Sequence, residues 1–345
     1  MKIEYGRAEA NRPHLFADAI EVMCAFDTGG PVSETDAFSL LESSPRSAEE
    51  IVNADEDDLD DNGLDDDLNS SQITESMQIK VDNAFEQLSF RSAAFGEFYP
   101  FEFSDGALSL RPAPLPALQQ AYLLLLASSR IRTFKPDEGR DDERGIKQHL
   151  ADAFELLCKE ALRSMLPSDA EVVHFGASSV EKINRFGSDL RLALPALAEF
   201  MGVDLSSRWD PEEFAAQGDG GIDLVGVQKL DELQYGWNVI IGQCAAIEHE
   251  NDWQKKRQEA KIGEVHGSTF DFYLSPQPVL FVPSCFRKSE GTWIKSRFAN
   301  GVILMDRLRI LRRLADSPDK VSVSADMLVD KLGELIATDF EPIPA

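Results

Sequence analysis

The chain has 345 residues, 43% of them hydrophobic, enough for one sizeable core and a smaller second domain. Its net charge of −27 argues against a uniformly DNA-binding surface, because an acidic face repels a polyanion. The longest apolar run, Ala121–Ala127, is far short of the roughly 20 residues a bilayer span needs, and Met1-Lys2-Ile3-Glu4-Tyr5 opens without an apolar signal segment, so a soluble, cytoplasmic protein with no membrane partner is expected.

Residues 1–75 carry 20 acids against 4 bases and read as an acidic, partly disordered N-terminal segment. Inside it, Asp58, Asp60, Asn62 and Gly63 match the opening of an EF-hand loop. The match then fails, because Asn69 stands where a bidentate Glu belongs and Asp65 where an apolar residue belongs, so an acidic linker is expected. Residues 76–145 read as a small helical domain and linker. Met77, Val81, Phe85 and Leu88 have helical spacing, Leu118–Ser128 is an apolar helix that must be buried, and the charged stretch Lys135–Arg144 reads as the linker.

From about residue 146 to 318 helices and strands mix. Ile146–Leu166 is an amphipathic helix with Leu150, Phe154, Leu157, Cys158, Ala161, Leu162 and Met165 on one face, ended by Pro167. Glu171–Phe175 is a short strand. Leu190–Met201 is an apolar helix that Pro195 is expected to kink or divide. Ile222–Val227 and Trp237–Gln243 are continuous in Val, Ile and Leu and predict buried strands, as do Pro278–Pro283 and Gly301–Met305. Asn251–Ile262 and Arg307–Leu314 predict basic helices. Met327–Ile336, within a C-terminal helix and tail over 319–345, is amphipathic. Residues 254–313 hold 12 Lys and Arg against 5 Asp and Glu, so the charge is polarised along the chain and one face can still bind DNA.

Chemistry concentrates at Gly218-Asp219-Gly220-Gly221-Ile222-Asp223, a glycine-rich turn that delivers an aspartate onto an apolar strand. The next strand ends in Gly242-Gln243-Cys244. Adjacent strands of this kind hold a carboxylate and an amide oxygen about one side chain apart, a set of oxygens suited to a divalent cation. Asp219 reads as turn chemistry. His174, His249 and His266 have no metal spacing and read as structural. The cysteines, Cys24, Cys158, Cys244 and Cys285, form no C-x-x-C pair, and no His is placed to activate Cys244 as a nucleophile.

Gly-Gly-Ile-Asp followed by a strand ending in Gln resembles the PD-(D/E)XK nuclease superfamily, closest to its Mrr-like restriction branch, over roughly residues 147–305. The resemblance implies an α/β fold with a restriction-endonuclease-like mixed sheet flanked by helices, beside the N-terminal mainly helical region. It implies Asp223 and Gln243 as ligands of Mg²⁺ or Mn²⁺, with Glu155, of the Phe154-Glu155 pair on the first helix, assisting them. The family's lysine position is Ala245, so the resemblance points to a lysine relocated onto the following helix. Lys256 is favoured over Lys255 because Trp253 one turn earlier sets the same face. The implied function is metal-dependent hydrolysis of DNA phosphodiester bonds, plausible in a prokaryotic restriction or antiphage defence system. With no Walker A motif, a helicase or ATPase would be a separate partner. Two alternatives stand beside it: a catalytically degenerate nuclease fold that binds DNA or a partner, which Ala245 favours, and an interaction protein whose acidic N-terminus mimics DNA.

Overall fold

The computed structural model describes residues 2–3, 11–27, 30–42, 70–135, 143–232, 236–246, 250–261 and 267–316. The acidic run at 55–67 with its EF-hand-like residues, most of the 135–144 linker, His249, His266 and the 327–336 helix lie outside the described residues. The chain divides into two compact units, one built from Met1–Ile146 and Ser284–Ile294, the other from Lys147–Pro283 and a stretch that begins at Lys295.

The first unit contains β1 (Lys2–Ile3), α1 (Pro13–Val22), β2 (Val32–Ser33), α2 (Glu34–Glu42), α3 (Ser70–Phe95), β3 (Phe101–Ser104), β4 (Ala107–Leu110), α4 (Ala117–Ser129) and β5 (Phe134–Lys135). Helix α3 extends beyond the expected stripe at both ends; Met77, Val81, Phe85 and Leu88 are buried at helical spacing, with Ala84 and Phe95 buried as well. Strands β3 and β4 form a hairpin whose tip, Asp105-Gly106, takes positive φ at both residues (52° and 74°), and β2 pairs with the outer side of β4. Within residues 1–75, read from the sequence as acidic and partly disordered, residues 13–27 and 30–42 form packed structure. Leu15, Phe16, Ile20 and Val22 of α1 are buried, as are Ala37 and Leu41 of α2. The negative charge averaged over this segment hid two apolar faces.

Helix α1 also buries Asp18 and Glu21. Arg91 of α3 pairs with each at 2.7 Å and donates to the His14 carbonyl at 2.6 Å. Glu21 accepts from Tyr99 at 2.8 Å and from Tyr122 at 2.9 Å, and the Ser129 hydroxyl donates to Asp18 at 2.8 Å. A guanidinium and three hydroxyls thus replace the water these carboxylates give up.

The second unit is mixed α/β, a five-stranded mixed sheet flanked by helices. It contains α5 (Glu143–Ser164), β6 (Glu171–His174), α6 (Val180–Phe186), α7 (Leu190–Met201), β7 (Asp204–Leu205), β8 (Leu224–Gln228), β9 (Asn238–Cys244), α8 (Glu250–Ala260), β10 (Phe270–Asp271), β11 (Gln277–Phe281), β12 (Ile303–Met305) and α9 (Arg307–Ala315). The strand order is β12-β11-β9-β8-β6. The β6–β8 and β8–β9 pairs are antiparallel, and the β9–β11 and β11–β12 pairs are parallel. Val225 and Val227 of β8 and Val239 and Ile241 of β9 share one core with Leu194, Leu197 and Met201 of α7. The period of two explains why alternate residues of both strands meet one helix.

Helix α7 is continuous through Pro195, so the proline does not divide it. Asp189 caps its start on Arg191 N at 3.0 Å, Gly202 closes it in the left-handed region, and seven buried side chains hold it to the core. Helix α9 turns part of its basic character inward. Arg307 is fully buried and donates to the Pro283 carbonyl at 2.8 Å, and Arg309 donates to Leu304 O at 2.8 Å. Among the described residues no helix is long and apolar enough to cross a membrane.

Candidate active site

The glycine-rich turn is written in backbone conformation. Gly218, Gly220 and Gly221 have φ of 118°, 64° and 75°, a region L side chains rarely enter. Asp219 stabilises the turn by accepting from Gly221 N at 2.7 Å. From α6, the buried Lys182 ammonium donates to the Gly218 carbonyl and lies 5.2 Å from the centre of the Phe175 ring. Burial holds the Lys182 amine below the usual lysine range, and the Asp219 charge opposes that effect.

Beyond the turn Ile222 is buried, and Asp223 enters the sheet between β6 and β9. Its carbonyl accepts from Phe175 N at 2.7 Å and Gly176 N at 3.1 Å, and its carboxylate accepts from Cys244 N at 2.7 Å. Only 6% of Asp223 is exposed. Burial, then the charge of Glu155, push its carboxyl up to about 8; the Cys244 N–H works against them, Asp219 adds to the rise, and Lys256 lowers it. Glu155 reaches in from α5, with its Oε2 bonded to His174 Nε2 at the end of β6.

Gln243 stands one step beyond the registered pair Leu224–Gly242, opposite Asp223. It is 2% exposed, and its Oε1 is buried with no hydrogen-bond partner among the described residues. A buried acceptor left alone costs about 1–3 kcal/mol, and this one stands opposite the Asp223 carboxyl across the strand pair. Ala245, at the lysine position of the resembling family, is buried, and its N–H donates to Phe281 O at 2.9 Å. Nothing at that position carries charge.

The two candidate lysines on α8 differ. The side chain of Lys255 is 84% exposed, against 30% for Lys256. Burial lowers the Lys256 pKa, but the Glu259 carboxylate at 2.7 Å, with Asp223 and Asp219 further off, holds it above the ordinary lysine value. Lys256 is therefore the lysine whose charge reaches Asp223. The Trp253 side chain invoked for this choice lies outside the described residues.

The structure thus brings Glu155 and Asp223 together, sets Gln243 across the strand pair, and directs the Lys256 charge toward Asp223. His174 and Lys182 also belong to this region, and the sequence reading gave neither a functional role. Cys158 on α5 shares a thiol hydrogen bond with Cys244, and burial raises both thiols. Two carboxylates that repel each other and an unpartnered amide oxygen suit a hard divalent cation that keeps waters in its shell. Among the described residues no group of three or more His, Cys, Asp or Glu side chains is placed to hold a metal ion; the oxygens that could contribute to one here are those of Glu155, Asp223 and the Gln243 amide. The chain matches no family model, no curated protein and no solved structure.

Proposed function

We propose that the second unit is a metal-dependent nuclease domain of the restriction-endonuclease-like kind, hydrolysing phosphodiester bonds in DNA. The observation that carries this reading is the opposition of Asp223, a buried carboxyl raised to about 8, and Gln243, whose amide oxygen is buried without a partner. Burying both is costly unless a cation meets them. Asp223, the Gln243 oxygen and Glu155 would hold Mg²⁺ or Mn²⁺. Bound there, the ion would neutralise phosphate charge and ease deprotonation of a water.

The chain's own groups have separate duties. The Cys244 N–H fixes one Asp223 oxygen, so the carboxylate keeps one orientation. The Lys256 ammonium, held cationic by Glu259, stabilises the charge that develops on the transferring phosphate. Burial around Asp223 keeps bulk water from screening both effects. A defence or restriction role, a cytoplasmic setting and a separate helicase or ATPase partner remain part of the proposal.

The test is nicking of supercoiled plasmid by purified protein in Mg²⁺ or Mn²⁺, with EDTA and Asp223→Asn as controls. Metal-dependent nicking that the variant lacks is expected. Nicking that survives Asp223→Asn in a folded protein would end the assignment. The buried Ala245 favours a second reading, a degenerate nuclease fold that binds DNA without cutting. Salt-dependent duplex binding with no turnover in either metal would select it.

A further inference from the structure

We propose that His174 is a positioning residue that orients Glu155 for the cation; this rests on the metal-dependent reading above. A histidine ending a strand is usually structural, and three features set this one apart.

The first is the contact. A carboxylate oxygen can only accept, so His174 Nε2 donates to Glu155 Oε2. The other Glu155 oxygen has no hydrogen-bond partner among the described residues and is left for a ligand. The second is the bracing of the histidine itself. Its N–H donates to Glu181 at 2.9 Å and its carbonyl accepts from the Ser179 hydroxyl at 2.7 Å. Glu181 in turn pairs at 2.7 Å with Lys159, one turn after Glu155 on α5. One end of this loop of contacts is the carboxylate to be oriented.

The third feature is Gly176. A Cβ there would stand 2.5 Å from Glu155 Oε2 and 2.7 Å from His174 Nε2. The same residue donates its N–H to the Asp223 carbonyl at 3.1 Å. The backbone that pins Asp223 therefore leaves room for the Glu155–His174 pair only because residue 176 lacks a side chain. Outer partners that orient metal-binding side chains follow this logic.

The experiment measures Mn²⁺ affinity by titration calorimetry on the full chain, beside plasmid nicking. His174→Ala should weaken Mn²⁺ binding by roughly 10–100-fold, the usual loss when such a partner is removed. His174→Gln, which keeps an N–H donor, should recover most of it. Gly176→Ala should lose affinity to a similar degree, with thermal melts establishing that each variant is folded. The double variant His174→Ala/Gly176→Ala should lose no more than either single one, because both act through the same pair, whereas independent structural damage would add. Wild-type affinity in His174→Ala would overturn the proposal while leaving Asp223 and Gln243 in place. Additive losses without rescue by Gln would overturn it as well. A wild-type protein that binds Mn²⁺ in this pattern yet cuts nothing would sink the nuclease reading and uphold the positioning role. No Mn²⁺ binding at all would sink both.

Discussion

Both units bury acids, and they treat them in opposite ways. In the first, Asp18 and Glu21 lie beside Arg91, Tyr99, Tyr122 and Ser129, so each carboxylate has charged or hydroxyl partners. In the second, Asp223 faces the like charge of Glu155, and the neighbouring Gln243 oxygen has no partner among the described residues. The first arrangement sets its acids against a guanidinium and hydroxyl donors and serves architecture, although the Arg91 Nε is buried with no hydrogen-bond partner among the described residues. The second sets one acid against another. Burial of an acid therefore does not by itself mark a site; the charge it faces does.

The largest effect expected from this contrast is on activity. Asp223→Asn keeps an acceptor for Cys244 N but removes the charge, so plasmid nicking should vanish while the melting temperature holds or rises. The mirror experiment in the first unit is Arg91→Met, which strands two buried carboxylates. It should cost about 3–5 kcal/mol in urea unfolding. A loss below 1 kcal/mol would mean that Asp18 and Glu21 are not held as described.

Lys256→Ala should slow cleavage on the order of 10²-fold with little change in duplex affinity, as expected for a group that acts on developing charge. The exposed Lys255→Ala should leave turnover nearly unchanged. Equal effects in single-turnover assays would erase the distinction drawn between the two lysines.

The pH dependence of metal-free stability sharpens the comparison further. Asp223 has a folded-state value of about 8 against an ordinary 3.8. The folded chain then holds this proton more tightly than the unfolded chain does. The stabilisation is complete below pH 4 and is lost as pH rises toward 8. In EDTA, urea melts between pH 5 and 8 should show stability falling by up to about 1.4 kcal/mol per pH unit from this group. Asp223→Asn should flatten that slope, and saturating Mn²⁺, by holding Asp223 ionised in the folded chain, should abolish it. The smallest effect belongs to Gln243→Leu, which removes an orphaned acceptor and should raise metal-free stability by about 1 kcal/mol while weakening Mn²⁺ binding. A destabilised variant would show that the amide oxygen is satisfied in solution.

Much of the second unit's framework was legible in the chain. Strands β8, β9 and β11 are centred on the short apolar runs Leu224–Val227, Val239–Ile241 and Val279–Phe281, and α5 declares its buried face by spacing. The Asp223–Gln243 opposition followed from two such strands and a turn between them. The Glu155–His174 contact did not, since it joins a helix to a strand edge and leaves no periodic trace. Gly176 offered a clue, a lone glycine just past a strand. Helix α1 escaped notice for another reason. Its acids are paid for by Arg91, Tyr99 and Tyr122, some 70 to 101 residues further on, so a local window saw only charge. The Asp105-Gly106 hairpin was a local signal, overlooked because its strands are only four residues each.

The excursion of Ser284–Ile294 into the first unit carries a consequence for synthesis. Phe286 meets His14 edge-on with ring centres 5.6 Å apart, the Arg287 carbonyl accepts from Gln87 at 3.0 Å, and a Cβ on Gly291 would lie 3.2 Å from the Phe90 ring. At roughly 5–20 residues per second, the ribosome finishes residue 146 on the order of ten seconds before it delivers this segment. During that interval the N-terminal unit waits with the docking surfaces of α1 and α3 unfilled. A gene cut after Ile146 makes that waiting state permanent, and the truncated product is expected to need chaperone help that the full-length chain does not.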